Sequence, residues 1–217
     1  MADSLRFEVD DRGVATMTLT RPEVRNAFDH DLIEQLGARL MEVREREEIR
    51  ALVITGAGDC FSAGADVNWM RSMVDAGEEN NLEDALGLAD LMGALHDMGK
   101  PTVARVNGHA FGGGVGLVAC CDIANASSDA KFSLSEVRLG LVPAVISPYV
   151  QDAIGVRHGR LFFLSGEVMS DKKARRIGLI HEVTKSDRLD EAIEHQLSML
   201  LLGGPAAIRE CKALIAM

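Results

Sequence analysis

Two glycine-rich segments concentrate the residues of this chain that could do chemistry. The first is Cys60-Phe61-Ser62-Ala63-Gly64-Ala65-Asp66, and the second is Asn107-Gly108-His109-Ala110-Phe111-Gly112-Gly113-Gly114. Three consecutive glycines at a helix start leave backbone N–H groups uncovered by side chains. The helix dipole favours negative charge at the same place. That equipment suits an anionic oxygen. A second reading is mechanical: the glycines let a helix and a strand approach closely. The register fits neither G-x-G-x-x-G, nor G-x-x-x-x-G-K-[ST], nor G-x-S-x-G, so dinucleotide, P-loop and serine-hydrolase chemistry find no support.

Both segments follow apolar runs that read as buried strands, Ala51–Thr55 and Thr102–Val106. Ligands of α/β folds gather at strand C-terminal ends, so both segments are well placed. Around them, residues 5–9 and 14–20 predict two short strands joined by a turn at Asp10–Gly13. Asp29 opens a helix with Leu32, Ile33, Leu36, Leu40 and Val43 on one stripe. Residues 56–64 predict a loop. Leu82, Ala85, Leu86, Ala89, Met92 and Leu95 predict an apolar helix face within residues 81–97. Gly112–Gly114 opens a further helix. Asp122–Ala126 and Lys131–Leu134 predict strands, and helices dominate from Pro148, with a break at Leu179–Val183. The fold class is α/β.

The chain has 217 residues and a formal net charge of −10. That balance argues against nucleic acid or an anionic membrane as partner. No apolar run reaches membrane-spanning length, and no secretory leader opens the sequence. Cys60, Cys120, Cys121 and Cys211 form no C-x-x-C pair and read as small buried hydrophobes in a reducing, cytoplasmic compartment. The histidines lack ligand spacing, so no metal is expected.

Taken together, these segments resemble the crotonase (enoyl-CoA hydratase/isomerase) superfamily. The resemblance rests on Phe61-Ser62-Ala63-Gly64-Ala65-Asp66, Asn107-Gly108, Gly112-Gly113-Gly114, Cys121-Asp122-Ile123-Ala124, and the run from Phe132 through Glu136 to Pro143. It covers the chain from Arg21-Pro22 to Cys211–Leu214. Ala65–Met70 and Pro143–Pro148 look most like the methylglutaconyl-CoA hydratase branch. The resemblance implies a spiral of ββα turns assembled as a trimer or dimer of trimers. Residues 1–200 would form the core, and 201–217 would begin a shortened C-terminal helical region.

The resemblance also implies an acyl-CoA substrate and no separate cofactor. The backbone N–H groups of Ala63 and Gly113 would bind the thioester oxygen, and Glu136 would move the proton. Arg25, Ala27, Ala65, Asp66, Gly112 and Gly116 would contact the substrate. Other readings stand beside these: Asp66 as a helix cap, Arg25 as a solvated charge, Glu136 as a helix-end partner of Arg138 or Lys131. The chemistry is coherent, because enolate charge develops on the thioester oxygen. Losing one fixed donor there typically costs about 3 kcal/mol of barrier.

One departure matters. Classical hydratases of the family carry a first glutamate three residues after the middle glycine, where this chain has Gly116, so the resemblance leaves only the second, Glu136. The implied reaction is hydration of an enoyl-CoA with a branched or carboxylated chain. The alternatives are a 3,2-enoyl-CoA isomerase and a non-catalytic acyl-CoA binding protein. If the pocket has room, Gly116→Glu should raise crotonyl-CoA hydration.

Overall fold

The computed structural model describes residues 4–74 and 76–216. Two sheets share the work of holding the glycine-rich segments. The larger has six strands in the order β1-β2-β3-β5-β7-β10: β1 Leu5–Val9, β2 Val14–Leu19, β3 Ala51–Gly56, β5 Thr102–Val106, β7 Ile123–Ser127 and β10 Glu182–Thr184. Only β1–β2 is antiparallel; the remaining pairs are parallel. The smaller has four strands in the order β4-β6-β8-β9: β4 Cys60–Ser62, β6 His109–Phe111, β8 Lys131–Ser133 and β9 Met169–Ser170. Successive turns of chain thus give one long strand to the first sheet and a short one to the second. A helix closes each turn: α1 His30–Glu45 precedes β3, α2 Val67–Val74 and α3 Gly77–His96 follow β4, and α4 Gly113–Cys120 follows β6.

The core explains why β3 is apolar throughout. Leu52 and Ile54 face a large cluster that includes the α1 stripe Leu32, Ile33, Leu36, Leu40 and Val43. Ala51 and Val53 face the opposite side, against Leu189, Ile193 and Leu197 of α7 (Leu189–Leu201). A strand covered on both faces has no solvent side to alternate with. Asp29 starts α1 by accepting the Leu32 N–H at 2.9 Å, a cap worth about 1 kcal/mol.

Three sequence expectations need correction. Cys60–Ser62 and His109–Phe111 read as loop but are strands of three residues each. Runs this short leave no period-2 pattern, and their pairing is set by the neighbouring chain. The helix expected within 81–97 begins at Gly77, and only Leu91, Met92 and Leu95 of it are buried. Leu82 and Leu86 are exposed, because the first half of α3 overhangs the core. The break at Leu179–Val183 yields β10 at Glu182–Thr184.

Three more helices complete the chain: α5 Ser147–Ser165, α6 Asp171–Ile177 and α8 Pro205–Ile215. No described residue of α8 is buried. The helix is nevertheless pinned: Lys212 Nζ donates to Asp122 Oδ2 at 2.6 Å and to the Lys100 carbonyl at 3.2 Å. Asp122 Oδ2 also accepts from the backbone and hydroxyl of Thr102, so α8 is tied to the start of β5. No described helix is long and apolar enough to cross a membrane.

Candidate active site

The loop after β4 and the start of α4 meet beside a cleft of about 330 Å³. Glycine brings them together for a different steric reason at each position. Gly64 has φ +83°, and a Cβ there would lie 2.7 Å from the Phe111 carbonyl and 3.2 Å from the Gly113 nitrogen. A Cβ on Gly113 would lie 2.7 Å from Cε2 of the buried Phe28 ring, and one on Gly114 2.7 Å from the Ser62 carbonyl. Gly112 has φ +50° and ψ −122°, a conformation side chains avoid. The mechanical reading of this triplet therefore holds. Close packing is what brings the Gly113 N–H to the cleft wall.

The loop Ala63–Asp66 is held along residues 25–28. The Ala63 N–H donates to the Arg25 carbonyl at 2.9 Å. Phe28 donates to the Gly64 carbonyl at 2.7 Å, and the Asp66 N–H donates to the Phe28 carbonyl at 2.7 Å. In a regular strand, N–H groups three residues apart point to opposite sides. Here the Ala63 and Asp66 N–H groups both turn toward residues 25–28, which requires a change of phase between them. The positive φ of Gly64 supplies it. The consequence corrects a sequence expectation: the Ala63 N–H is already spent on Arg25. The N–H facing the other way belongs to Ala65. Among the described residues, neither Ala65 N–H nor Gly113 N–H has a protein acceptor, and both residues line the cleft.

Glu136 stands across from this pair. It opens a single 3₁₀ turn, Glu136–Leu139, after Ser135. A Cβ on Gly112 would come within 3.2 Å of Glu136 Oε1. Glu136 Oε2 is buried and has no hydrogen-bond partner among the described residues. Burial raises the carboxyl above the usual glutamate range, and its own backbone N–H offsets part of that. The ion pair with Arg138 or Lys131 does not form: Arg138 reaches the Ser165 carbonyl instead, at 3.5 Å, and packs on Gly166.

The other expected contacts fall outside the cleft. Asp66 is the N-cap of α2, accepting the Asn68 N–H at 2.8 Å, and it pairs with Arg21 Nη2 at 3.3 Å. Arg21 also holds Asp29 at 2.8 Å and the Ala27 carbonyl at 2.6 Å, so one guanidinium ties the starts of α1 and α2 together. The Asp66 carboxylate is thus engaged in positioning the loop. Ala27 is buried. Arg25 is exposed with φ +56°, and among the described residues its guanidinium has no ion-pair partner. Gly116 is buried beneath Ile146: a Cβ there would sit 2.3 Å from Ile146 Cγ2 and 3.2 Å from Met92 Cε. It is not a lining residue, and the expectation that it touches substrate is withdrawn.

The apolar lining includes Phe28, Trp69, Met70, Leu139, Leu141 and Ile146, and sequence reading assigned none of them a role there. The available signal was the apolar stretch that follows Glu136, from Leu139 to Ile146. Two larger surface grooves, about 650 and 550 Å³, lack such convergence. In the first, Arg12 pairs with Glu194 and Arg105 with Asp190. In the second, Lys100 and Arg50 cap backbone carbonyls.

Comparison with known proteins agrees with this geometry. Residues 10–216 match the family model described as enoyl-CoA hydratase/isomerase. A putative enoyl-CoA hydratase of Thermus thermophilus is 30% identical over 208 residues, which is 96% of this chain and 82% of that protein. An enoyl-CoA hydratase of Alternaria alternata is 35% identical over 203 residues, 93% of this chain and 66% of that protein. The crystal structure of an enoyl-CoA hydratase from Shewanella pealeana superposes with a TM-score of 0.95 at 41% identity, covering 99% of this chain and 80% of that one. With its ββα spiral, its paired glycine loops and a matching family model over almost its whole length, the chain belongs to the enoyl-CoA hydratase/isomerase (crotonase) superfamily.

Proposed function

We propose that the protein adds water across the 2,3 double bond of an enoyl-CoA. The observation that carries this reading is the convergence, on a single apolar cleft, of two backbone N–H groups without an acceptor among the described residues and the Glu136 carboxyl, whose Oε2 is buried and unpartnered. The thioester oxygen would accept from Ala65 and Gly113, the second at the positive end of the α4 dipole. The relatives named hydratases support the acyl-CoA assignment. The unpaired Arg25 guanidinium, next to the loop, suits a coenzyme A phosphate.

In this scheme Glu136 acts alone. Its carboxylate takes a proton from water as the oxygen attacks C3, and negative charge moves through C2 onto the thioester oxygen. The same carboxyl then returns that proton to C2, and the enolate collapses to the saturated thioester. Raised affinity for the proton suits a group that must both accept and donate it near neutral pH. The lining is apolar, which favours a branched hydrocarbon chain. Among the described residues, no lysine, arginine or histidine lines the cleft.

The lone carboxylate also favours a second reading, isomerisation of a 3-enoyl-CoA to its 2-enoyl form, which needs one group to move a proton from C2 to C4. The two separate by absorbance. Hydration removes the conjugated enoyl-thioester band of a branched 2-enoyl-CoA, whereas isomerisation creates it from a 3-enoyl-CoA. Binding with neither change would reject both.

The donor assignment has its own test. Ala65→Pro deletes an N–H that no protein group uses. It should lower kcat by about 10²–10³ with the fold retained by circular dichroism, the usual scale for one oxyanion donor. Wild-type kcat in that variant would return the role to another group.

A further inference from the structure

Phe28 touches both halves of the donor pair. Its backbone holds the first half. The Phe28 N–H donates to the Gly64 carbonyl at 2.7 Å and the Phe28 carbonyl accepts the Asp66 N–H at 2.7 Å, a parallel bridge between Phe28 and Ala65. The carbonyl and the N–H of one trans peptide point opposite ways. With the Gly64 carbonyl turned onto Phe28, the Ala65 N–H is turned away from it. The Phe28 ring meets the second half. Its edge atoms Cε2 and Cδ2 lie 2.7 and 3.0 Å from where a Cβ on Gly113 would stand, so the ring fills the space a side chain there would need. The Gly112 carbonyl accepts the Val115 and Gly116 N–H groups at 2.9 and 3.2 Å. That carbonyl runs into α4, so the Gly113 N–H of the same peptide points out of the helix, at the end that borders the cleft.

Phe28 is itself held fast. It is buried, and Arg21 braces the residues on either side of it, the Ala27 carbonyl at 2.6 Å and the Asp29 carboxylate at 2.8 Å. The same guanidinium reaches Asp66 at 3.3 Å. The two loops also approach each other directly, but there glycine meets glycine, Gly64 against Gly112 and Gly113, with no side chain to set the spacing. Phe28 supplies that spacer, with its backbone bonded to one loop and its ring under the other.

We propose that Phe28 is a positioning residue that sets the separation of the Ala65 and Gly113 N–H groups, and so the fit of the site to a thioester oxygen. This rests on the reading that those two groups bind that oxygen. Misplacement of a catalytic group by about 1 Å can cost about a hundredfold in rate, so a spacer of this kind matters to the chemistry.

The test is a double-mutant cycle on Phe28→Leu, Gly113→Ala and the pair. Phe28→Leu keeps the backbone bonds, lacks Cε2 and can turn its branched end aside. Gly113→Ala keeps its N–H but drives a methyl into the ring. Turnover is measured on a short straight-chain and on a branched 2-enoyl-CoA, with folding checked by circular dichroism. Phe28→Leu should lower kcat by about tenfold or more on both substrates, with KM changed by less than about threefold. Gly113→Ala should lower kcat by about a hundredfold. The pair should recover at least about tenfold over Gly113→Ala, because the added methyl takes the space of the missing ring edge. A pair no faster than Gly113→Ala would overturn the proposal. A Phe28→Leu loss confined to one substrate, or to KM, would also overturn it and make Phe28 a lining residue.

An infrared measurement keeps this separate from the catalytic reading. Butyryl-CoA, isotope-labelled at the thioester carbonyl, is saturated and cannot be hydrated. Hydrogen bonds from both donors should lower its carbonyl stretching frequency on binding to wild type. Phe28→Leu should show a smaller shift, and this variant decides the matter by itself if Gly113→Ala does not fold. A Phe28→Leu protein that is less stable but gives the wild-type shift would reduce the ring to core packing and overturn the proposal. Wild type that binds butyryl-CoA with no shift would reject the oxyanion reading and the spacer with it. A shift that depends on Phe28, in a protein that turns over no enoyl-CoA, would keep the spacer and reject the hydratase reading.

Discussion

Replacing Glu136 with Gln is expected to lower kcat/KM by at least about a hundredfold, the scale of lost general acid–base catalysis, while making the protein more stable at neutral pH. The two effects have one cause. Burial raises the folded-state carboxyl above its ordinary value, so the folded protein holds that proton more tightly than the unfolded chain does. Stability is then highest below the unfolded value, about 4.3 for a glutamate. It falls as pH rises through the window between that value and the raised folded one. Above that window the ionised carboxylate carries its full burial penalty with Oε2 unpartnered. Gln fills the same space without charge, so its advantage in Tm should be largest at pH 7–8 and vanish at low pH. The wild-type kcat/KM profile should have an acid limb above the usual carboxylate range, and the variant's residual activity should lack it. A Gln variant as active as wild type would show that another group moves the proton. A variant less stable at pH 8 would mean that Glu136 has a partner in solution.

The larger strands and the helix stripe were legible in the sequence because burial imposes periodicity. Leu32 to Val43 repeat every three or four residues since one face of α1 meets the core, and β3 is apolar throughout since both of its faces are covered. The second sheet was not legible. Cys60–Ser62 and His109–Phe111 are too short for a pattern, and both stand among glycines that read as loop. Their pairing depends on close approaches that only the folded chain creates, such as Gly108 over the Asp59 carbonyl.

The place where the two loops meet was legible, and the direction of each peptide in them was not. Glycine type and spacing located both loops, and Glu136 could be placed opposite them only through resemblance to the family. What could not be read was the phase of the backbone. Gly64 turns the chain, so the free donor belongs to Ala65 and the spent one to Ala63. A left-handed glycine leaves no mark in composition that distinguishes the residue before it from the residue after. Gly112 is tied to its residue type for the same kind of reason: Gly112→Ala would keep the N–H, but φ is +50° and the added carbon would lie 3.2 Å from Glu136 Oε1.

The position of the missing second carboxylate is where structure most changes expectation. Read from sequence, Gly116 is a vacancy that Gly116→Glu could fill. In the fold it is filled already: Ile146 Cγ2 lies 2.3 Å and Ile146 Cβ 3.0 Å from where a Cβ would stand. Gly116→Glu alone should therefore destabilise the protein by roughly 4 kcal/mol or more, since overpacking adds to the burial of an unpaired carboxylate. Its activity should fall, measured beside a denaturant midpoint. Ile146 lines the cleft as well as covering Gly116, so removing its side chain joins the two spaces. Ile146→Gly is thus the necessary companion, and Met92 Cε, at 3.2 Å, is the end of a flexible chain that can move aside. The pair Gly116→Glu with Ile146→Gly should fold better than Gly116→Glu alone. It should hydrate crotonyl-CoA at least about tenfold faster than Ile146→Gly alone, because a second carboxylate can hold the attacking water while Glu136 handles C2. Equal rates in the pair and in Ile146→Gly would show that a single carboxylate already saturates the chemistry. The isoleucine would then be in place for the shape of the acyl chain rather than in place of a base.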